Sequence, residues 1–329
     1  MNNIAGSKIR AALALAAIAG FSLATAASGA DYPTKPIRLI VGYQAGGNTD
    51  TQARLLAPEL NKLLGVPVLV ENKPGASGVP AAEMVMRTAP DGHTLLWATS
   101  ASHAVPVVAM PRLSYNPVTD FTLITLISIN PNVIVGSASL QATSLDALMA
   151  YLKAHPGTPI GTPGPTTSGR FAVELMRAKL GIKLTIVPYK ATGQLLTDLS
   201  GNHIQLGIMG ASEALAFIKS KAVRAYTVTS MKRSPVLPDV PTFNETVSPG
   251  FEAVAWNALL APPGVPAVIV ETLRVAMRKA AEVPVVKEKL NSVGLNVVIG
   301  TQAELEKFMK DDIAKWVQVA KENKLSFEQ

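Results

Sequence analysis

The 329-residue chain has no cysteine. That excludes disulfides, thiolate metal sites and cysteine nucleophiles. Its four histidines, His93, His103, His155 and His203, show no metal-ligand spacing, so no metal is expected. Ser77 and Ser168 stand outside any Gly-x-Ser-x-Gly context, with no histidine and acid placed to activate them. No catalytic constellation follows, and the chain reads as a non-enzyme. No repeat of solenoid period is visible. No apolar run makes a good membrane span; the best, Ala11 to Ala24, is short and alanine-rich. Basic residues outnumber acidic ones for a net charge of +7, yet they form no runs. The surplus implies mild attraction for anions and no nucleic-acid footprint.

Hydrophobic residues make up 48% of the chain, enough for a large core, and the length suits two domains of ordinary size. The first thirty residues stand apart. They contain no acid, Lys8 and Arg10 precede the apolar run, and small residues follow it to Ala30. This is the pattern of a secretory signal peptide over residues 1–30, so the mature protein is expected in the periplasm. Nicotinamide cofactors and ATP are not maintained outside the cytoplasm, and no cofactor is expected.

The remainder alternates apolar strand-like runs with helix-periodic segments, which predicts an α/β fold with mostly parallel sheets flanked by helices. Ile37 to Val41 reads as a buried strand, and Thr51 to Leu64 carries Ala53, Leu55, Leu56, Leu60, Leu63 and Leu64 at helical spacing. Between them lies Gly42-Tyr43-Gln44-Ala45-Gly46-Gly47-Asn48-Thr49-Asp50. The glycines let the backbone bend, Asn48, Thr49 or Asp50 is expected to cap the helix, and free N–H groups at its start suit an anion. Thr94 to Ala98 reads as another strand, opening into Thr99-Ser100-Ala101-Ser102-His103. Gly161 to Arg170 repeats the loop-to-helix design with hydroxyls at Thr166, Thr167 and Ser168 and a guanidinium at Arg170. Ligands on such sheets sit beyond the C-terminal strand ends. Two such loops facing each other would hold an anion from both sides.

These residues resemble the tripartite tricarboxylate transporter receptors, also called the Bug family of extracytoplasmic solute-binding proteins. The resemblance rests on Tyr32-Pro33-Thr34-Lys35-Pro36-Ile37-Arg38, Gly46-Gly47 with Asp50, Val70-Glu71-Asn72-Lys73-Pro74-Gly75, Ala89-Pro90-Asp91-Gly92, Thr167-Ser168-Gly169, Val187-Pro188-Tyr189-Lys190, Leu237 to Thr242, and Leu260-Ala261-Pro262. It covers nearly the whole mature chain. It implies a two-domain periplasmic-binding-protein (Venus-flytrap) fold with two crossing segments, split as residues 31–128, 129–252 and 253–329, the last returning to the first domain. It also implies a small carboxylate held between the Gly42–Asp50 and Thr166–Arg170 loops, and delivery by a monomer to a tripartite tricarboxylate-type permease. An orphan receptor feeding a membrane sensor, or an exported enzyme on a carboxylated substrate, are the alternatives.

The ligand-binding residues expected on these grounds are Tyr43, Gly46, Gly47, Asn48, Thr49, Asp50, Thr99, Ser100, His103, Thr166, Thr167, Ser168, Arg170, Lys190 and Met209. His103 either lines the cleft or makes a local hydrogen bond. Arg170, where the family often has histidine, either meets a second acidic group of the ligand or pairs on the surface. Lys190 is either a ligand-side charge or part of a structural ion pair. Where the family often carries aspartates, this chain has Gln205 and Met209, which argues for a ligand without an amine.

Overall fold

The computed structural model describes residues 32–110, 112–164, 167–292 and 294–325. The proposed signal segment, residues 1–30, and Thr166 lie outside them.

The first half opens with strand β1 (Ile37–Val41), whose apolar run is almost wholly buried. Helix α1 (Asn48–Leu64) follows, closed by Gly65 in the left-handed conformation at φ 72°, the usual helix stop. Strand β2 (Val68–Asn72), helix α2 (Val79–Met86) and strand β3 (Thr94–Thr99) come next, with β1 parallel to both neighbours. Two short helices, α3 (Ser100–His103) and α4 (Val105–Ala109), lead to strand β4 (Thr122–Ser137).

The sequence suggests two β-rich runs there, broken at Pro131. The structure has one strand of 16 residues. Proline lacks the N–H that a ladder needs, but it falls where β4 exchanges partners. Up to Pro131 the strand pairs antiparallel with β9 (Val254–Ala261); from Asn132 it pairs with β7 (Leu206–Gly210) and, from Val133, with β8 (Val223–Val228). A missing donor costs least at such a changeover.

The second half carries α5 (Leu145–Ala154), β5 (Thr158–Pro163), α6 (Ser168–Leu180), β6 (Leu184–Tyr189), α7 (Thr192–Ser200), β7, α8 (Ala211–Lys219) and β8. Strand β5 is parallel to β6 and β7. After α9 (Phe243–Thr246) the chain returns through β9, then runs through α10 (Ala267–Glu282), α11 (Pro284–Ser292), β10 (Asn296–Val297) and α12 (Gln302–Glu322). The strand order is β2-β1-β3-β9-β4-β7-β5-β6, with β8 and β10 also on β4. The parallel strands thus lie to either side, and β4 with β9 forms an antiparallel seam between them.

Helix α12 ties the halves together. It begins with a capping box of Thr301 and Glu304, whose reciprocal bonds measure 3.2 and 2.7 Å. Its Trp316 meets Phe171 of α6 edge-on at 5.2 Å, and its Asp312 accepts from Trp256 Nε1 of β9 at 2.8 Å. Its last turn reaches α6 again, where Asn323 Nδ2 donates to the Glu174 carbonyl at 2.7 Å. No helix among the described residues is long and apolar enough to cross a membrane.

Candidate functional site

A concavity of about 310 Å³ opens beside the β4–β9 seam, where helix starts from both halves converge. Asn48 of α1 is the first half's helix-start contribution; Thr167 and Ser168 of α6, Thr192 of α7, and Ser212 and Glu213 of α8 are the second's. Lys190 and the strand residues Asn130 and Asn132 complete the polar lining, with Ala255 beside them. Several backbone N–H groups without helical partners therefore point into one space, which suits an anion.

Ser168 is held from behind. Its Oγ donates to Asn132 Oδ1 at 3.1 Å, while Asn132 Nδ2 donates to the Ala253 carbonyl at 2.9 Å. Asn132 is 3% exposed, so the α6 start is pinned to β4 and to the residue that leads into β9 through one buried amide. Thr167 is the N-cap of α6, its Oγ1 accepting from Arg170 N at 3.3 Å. Lys190 is exposed in the cleft and has no ion-pair partner among the described residues, which favours the ligand-side reading.

The first loop is organised differently from the expectation. No side chain caps α1; Gly47 occupies the cap position. Asp50, 1% exposed, instead turns back to accept from Gly46 N at 2.8 Å, from Arg54 Nε at 2.9 Å and from Asn72 Nδ2 at 2.8 Å. Burial alone would push its carboxyl up, but those bonds outweigh it and hold the group below its ordinary range. Asp50 thus organises the loop and does not line the cavity. Tyr43 is likewise structural: its OH donates to the Ser77 carbonyl at 3.0 Å and lies 2.7 Å from Thr99 Oγ1. Gly46, Gly47 and Thr49 shape the loop without lining the cavity.

Thr99 and Ser100 also fall outside the cavity. Thr99 caps α3, in a capping box with Ser102, and Ser100 is 5% exposed. His103 is 0% exposed, in the core between Tyr115 and Phe121, with its Nδ1 2.9 Å from Ser102 Oγ. The local-bond reading is the correct one, and burial depresses its pKa to about 3. Met209 is 0% exposed in the apolar cluster with Leu195, Leu199 and Val228, because residues along β7 alternate faces and this one points away from the cleft.

Arg170 meets no open cleft either. Its Nε and Nη2 donate to Oε1 of Glu174 at 3.0 and 2.8 Å, while Arg177 and Asn323 donate to Oε2 at 3.0 and 3.1 Å. Glu174 is 0% exposed, so Arg170 answers a buried charge of its own helix. The i,i+4 spacing of Arg170 and Glu174 was a signal available in the sequence.

Asn130, Asn132, Thr192, Ser212 and Glu213 are among the site residues that sequence reasoning missed. Asparagines inside a buried apolar run, and an acid at the third position of a helix after a glycine, were the available signals. Glu213 Oε2 accepts from Thr192 Oγ1 at 3.1 Å. The cleft walls crowd this carboxyl although water still reaches it, and desolvation raises its pKa. Among the described residues no group of three or more His, Asp or Glu could hold a metal.

Residues 52–325 match the family described as tripartite tricarboxylate transporter family receptor. The chain belongs to the tripartite tricarboxylate transporter receptor family. Protein BugT of Bordetella pertussis is 34% identical over 315 residues, covering 94% of this chain and 97% of that one. MatC of Rhodopseudomonas palustris, solved with bound malate, is 31% identical at a TM-score of 0.71, covering 88% and 99% of the two chains. Rpa4515 of the same organism, solved with adipate, is 30% identical at a TM-score of 0.72, covering 89% and 98%. Tripartite tricarboxylate transporter receptors are solute-binding proteins, and this chain has their mixed α/β periplasmic-binding-protein fold.

Proposed function

We propose that this protein is an extracytoplasmic receptor that captures a small carboxylate by closing two lobes on it. It then delivers the solute to a tripartite tricarboxylate-type permease. The observation that carries this reading is the convergence of the α1, α6, α7 and α8 starts, with Lys190, on one polar cleft. Each start offers N–H groups and the positive end of a helix dipole. The carboxylates bound by MatC and Rpa4515 agree with it. In this reading residues 31–128 and 253–329 form one lobe and residues 129–252 the other, with β4 and β9 as the crossing segments. Residues 1–30 direct export, and the mature protein acts in the periplasm as a monomer.

Binding favours the closed form, and the permease distinguishes it from the open one. Ser168→Ala is the cleaner probe of the site, since Thr167→Ala would also uncap α6. In this reading the Ser168 hydroxyl turns its proton from Asn132 to the solute on binding, and removing a hydrogen bond to a charged group costs about 1.5–3 kcal/mol, or roughly tenfold to over a hundredfold in affinity. Native mass spectrometry of freshly purified protein should show a retained carboxylate, and calorimetry with that compound should show the loss in Ser168→Ala. An unchanged affinity in the folded variant would place the site elsewhere.

A further inference from the structure

Glu213 and Lys190 bring opposite charges to one cleft, and neither has an ion-pair partner among the described residues. We infer that the solute is an amino-substituted carboxylate whose ammonium group seats against Glu213; this rests on the carboxylate-receptor reading and narrows it.

Glu213 stands third in α8, and one of its oxygens takes a hydrogen bond from Thr192 at 3.1 Å. That bond and a second from the Gly210 N–H at the helix start both come from neutral groups, so no cation among the described residues answers the carboxylate. A plain carboxylate drawn in by Ser168, Lys190 and the helix starts would come to rest beside this like charge. An ammonium on the same solute turns the repulsion into attraction, with three donors for the Glu213 carboxylate and the Thr192 hydroxyl. The absence of acids at Gln205 and Met209 therefore does not exclude an amine: the acid is supplied from the helix following β7. The crowding that raises the Glu213 pKa agrees with this, since a cation brought to the carboxyl offsets the part of its hydration that the cleft walls remove.

The competing role is that of a helix-start acid serving α8 alone. Glutamine keeps an acceptor oxygen for that role and removes the charge, so Glu213→Gln separates the two. The test is calorimetry on the full mature chain with matched probes: propionate against alanine, succinate against aspartate, glutarate against glutamate, in wild type and in Glu213→Gln. The wild type is expected to bind the amino member of at least one pair about tenfold more tightly or better, and the variant to bring that ratio close to one. A ratio near one in the wild type, or one that survives in Glu213→Gln, overturns the inference and leaves the carboxylate receptor intact. Binding of none of the six probes, with a different class of solute retained on purification, removes the carboxylate reading and the inference with it.

Discussion

Asp50 and Glu174 show how acids can sit close to a cleft proposed to bind an anion. Each is buried and answered by arginine, Asp50 by Arg54 and Glu174 by Arg170 and Arg177. Their charges are thereby cancelled locally, and they order the loop and the helix that carry Asn48 and Ser168. His103 has no such partner. Its folded pKa of about 3 lies well below the ordinary histidine value near 6.5, so it stays neutral in the fold. The unfolded chain takes up the proton that the folded one refuses. Its contribution to stability is therefore complete above about pH 6.5 and is lost as pH falls toward the folded pKa, at about 1.4 kcal/mol per unit. Urea unfolding of wild type and His103→Phe from neutral to mildly acid pH should show a shallower decline in the variant. Parallel declines would mean that His103 does not titrate in this way.

At the scale of elements, the Gly42–Asp50 loop is held by close approach as much as by hydrogen bonds. A Cβ on Gly42 would lie 2.6 Å from Gly78 Cα, and that atom belongs to backbone that cannot rotate aside. Gly42→Ala must therefore part the two loops and stretch the Tyr43 bonds to Ser77 and Thr99. A loss of about 1–3 kcal/mol is expected, the usual range for forced overpacking. Denaturant unfolding measures it, and wild-type stability would show that the loops separate freely. Several elements were legible from local chemistry alone. Gly65 stops α1, Ser144 caps α5 and the Thr301–Glu304 box opens α12, because each involves residues within a few positions of one another. The cap of α1 was not legible. Asp50 had a stronger set of partners in Gly46, Arg54 and Asn72, and Asn72 comes from another strand.

At the scale of the molecule, the turn after α11 presses on the start of α8. A Cβ on Gly294 would lie 2.8 Å from Ser212 Cβ and 3.1 Å from its Cα. Ser212 and Glu213 line the cleft, so this contact couples the C-terminal part of the chain to the proposed binding site. Gly294→Ala should push the two apart, weaken solute affinity and enlarge the solute-bound particle in small-angle scattering. Gly65→Ala is the control: it shares the left-handed backbone, at φ 72° against 77°, but has nothing within 4 Å. Equal affinity in the two variants would mean that the Gly294 contact plays no part in binding.

The sequence by itself determined the alternation of strand and helix, the glycine- and hydroxyl-rich helix starts, most of the caps, and the family. All of these are written in neighbouring residues or in ordered motifs. The cleft was decided only in the tertiary structure. Asn132 pins Ser168 across 36 positions, and Glu213 reaches the same space as Asn48 from 165 positions away. His103 and Met209, polar-looking or loop-adjacent in sequence, are buried because neighbouring elements cover them. Spacing along the chain fixes which face of its own element a side chain occupies. What lies opposite that face depends on how β4 and β9 carry the two halves past each other.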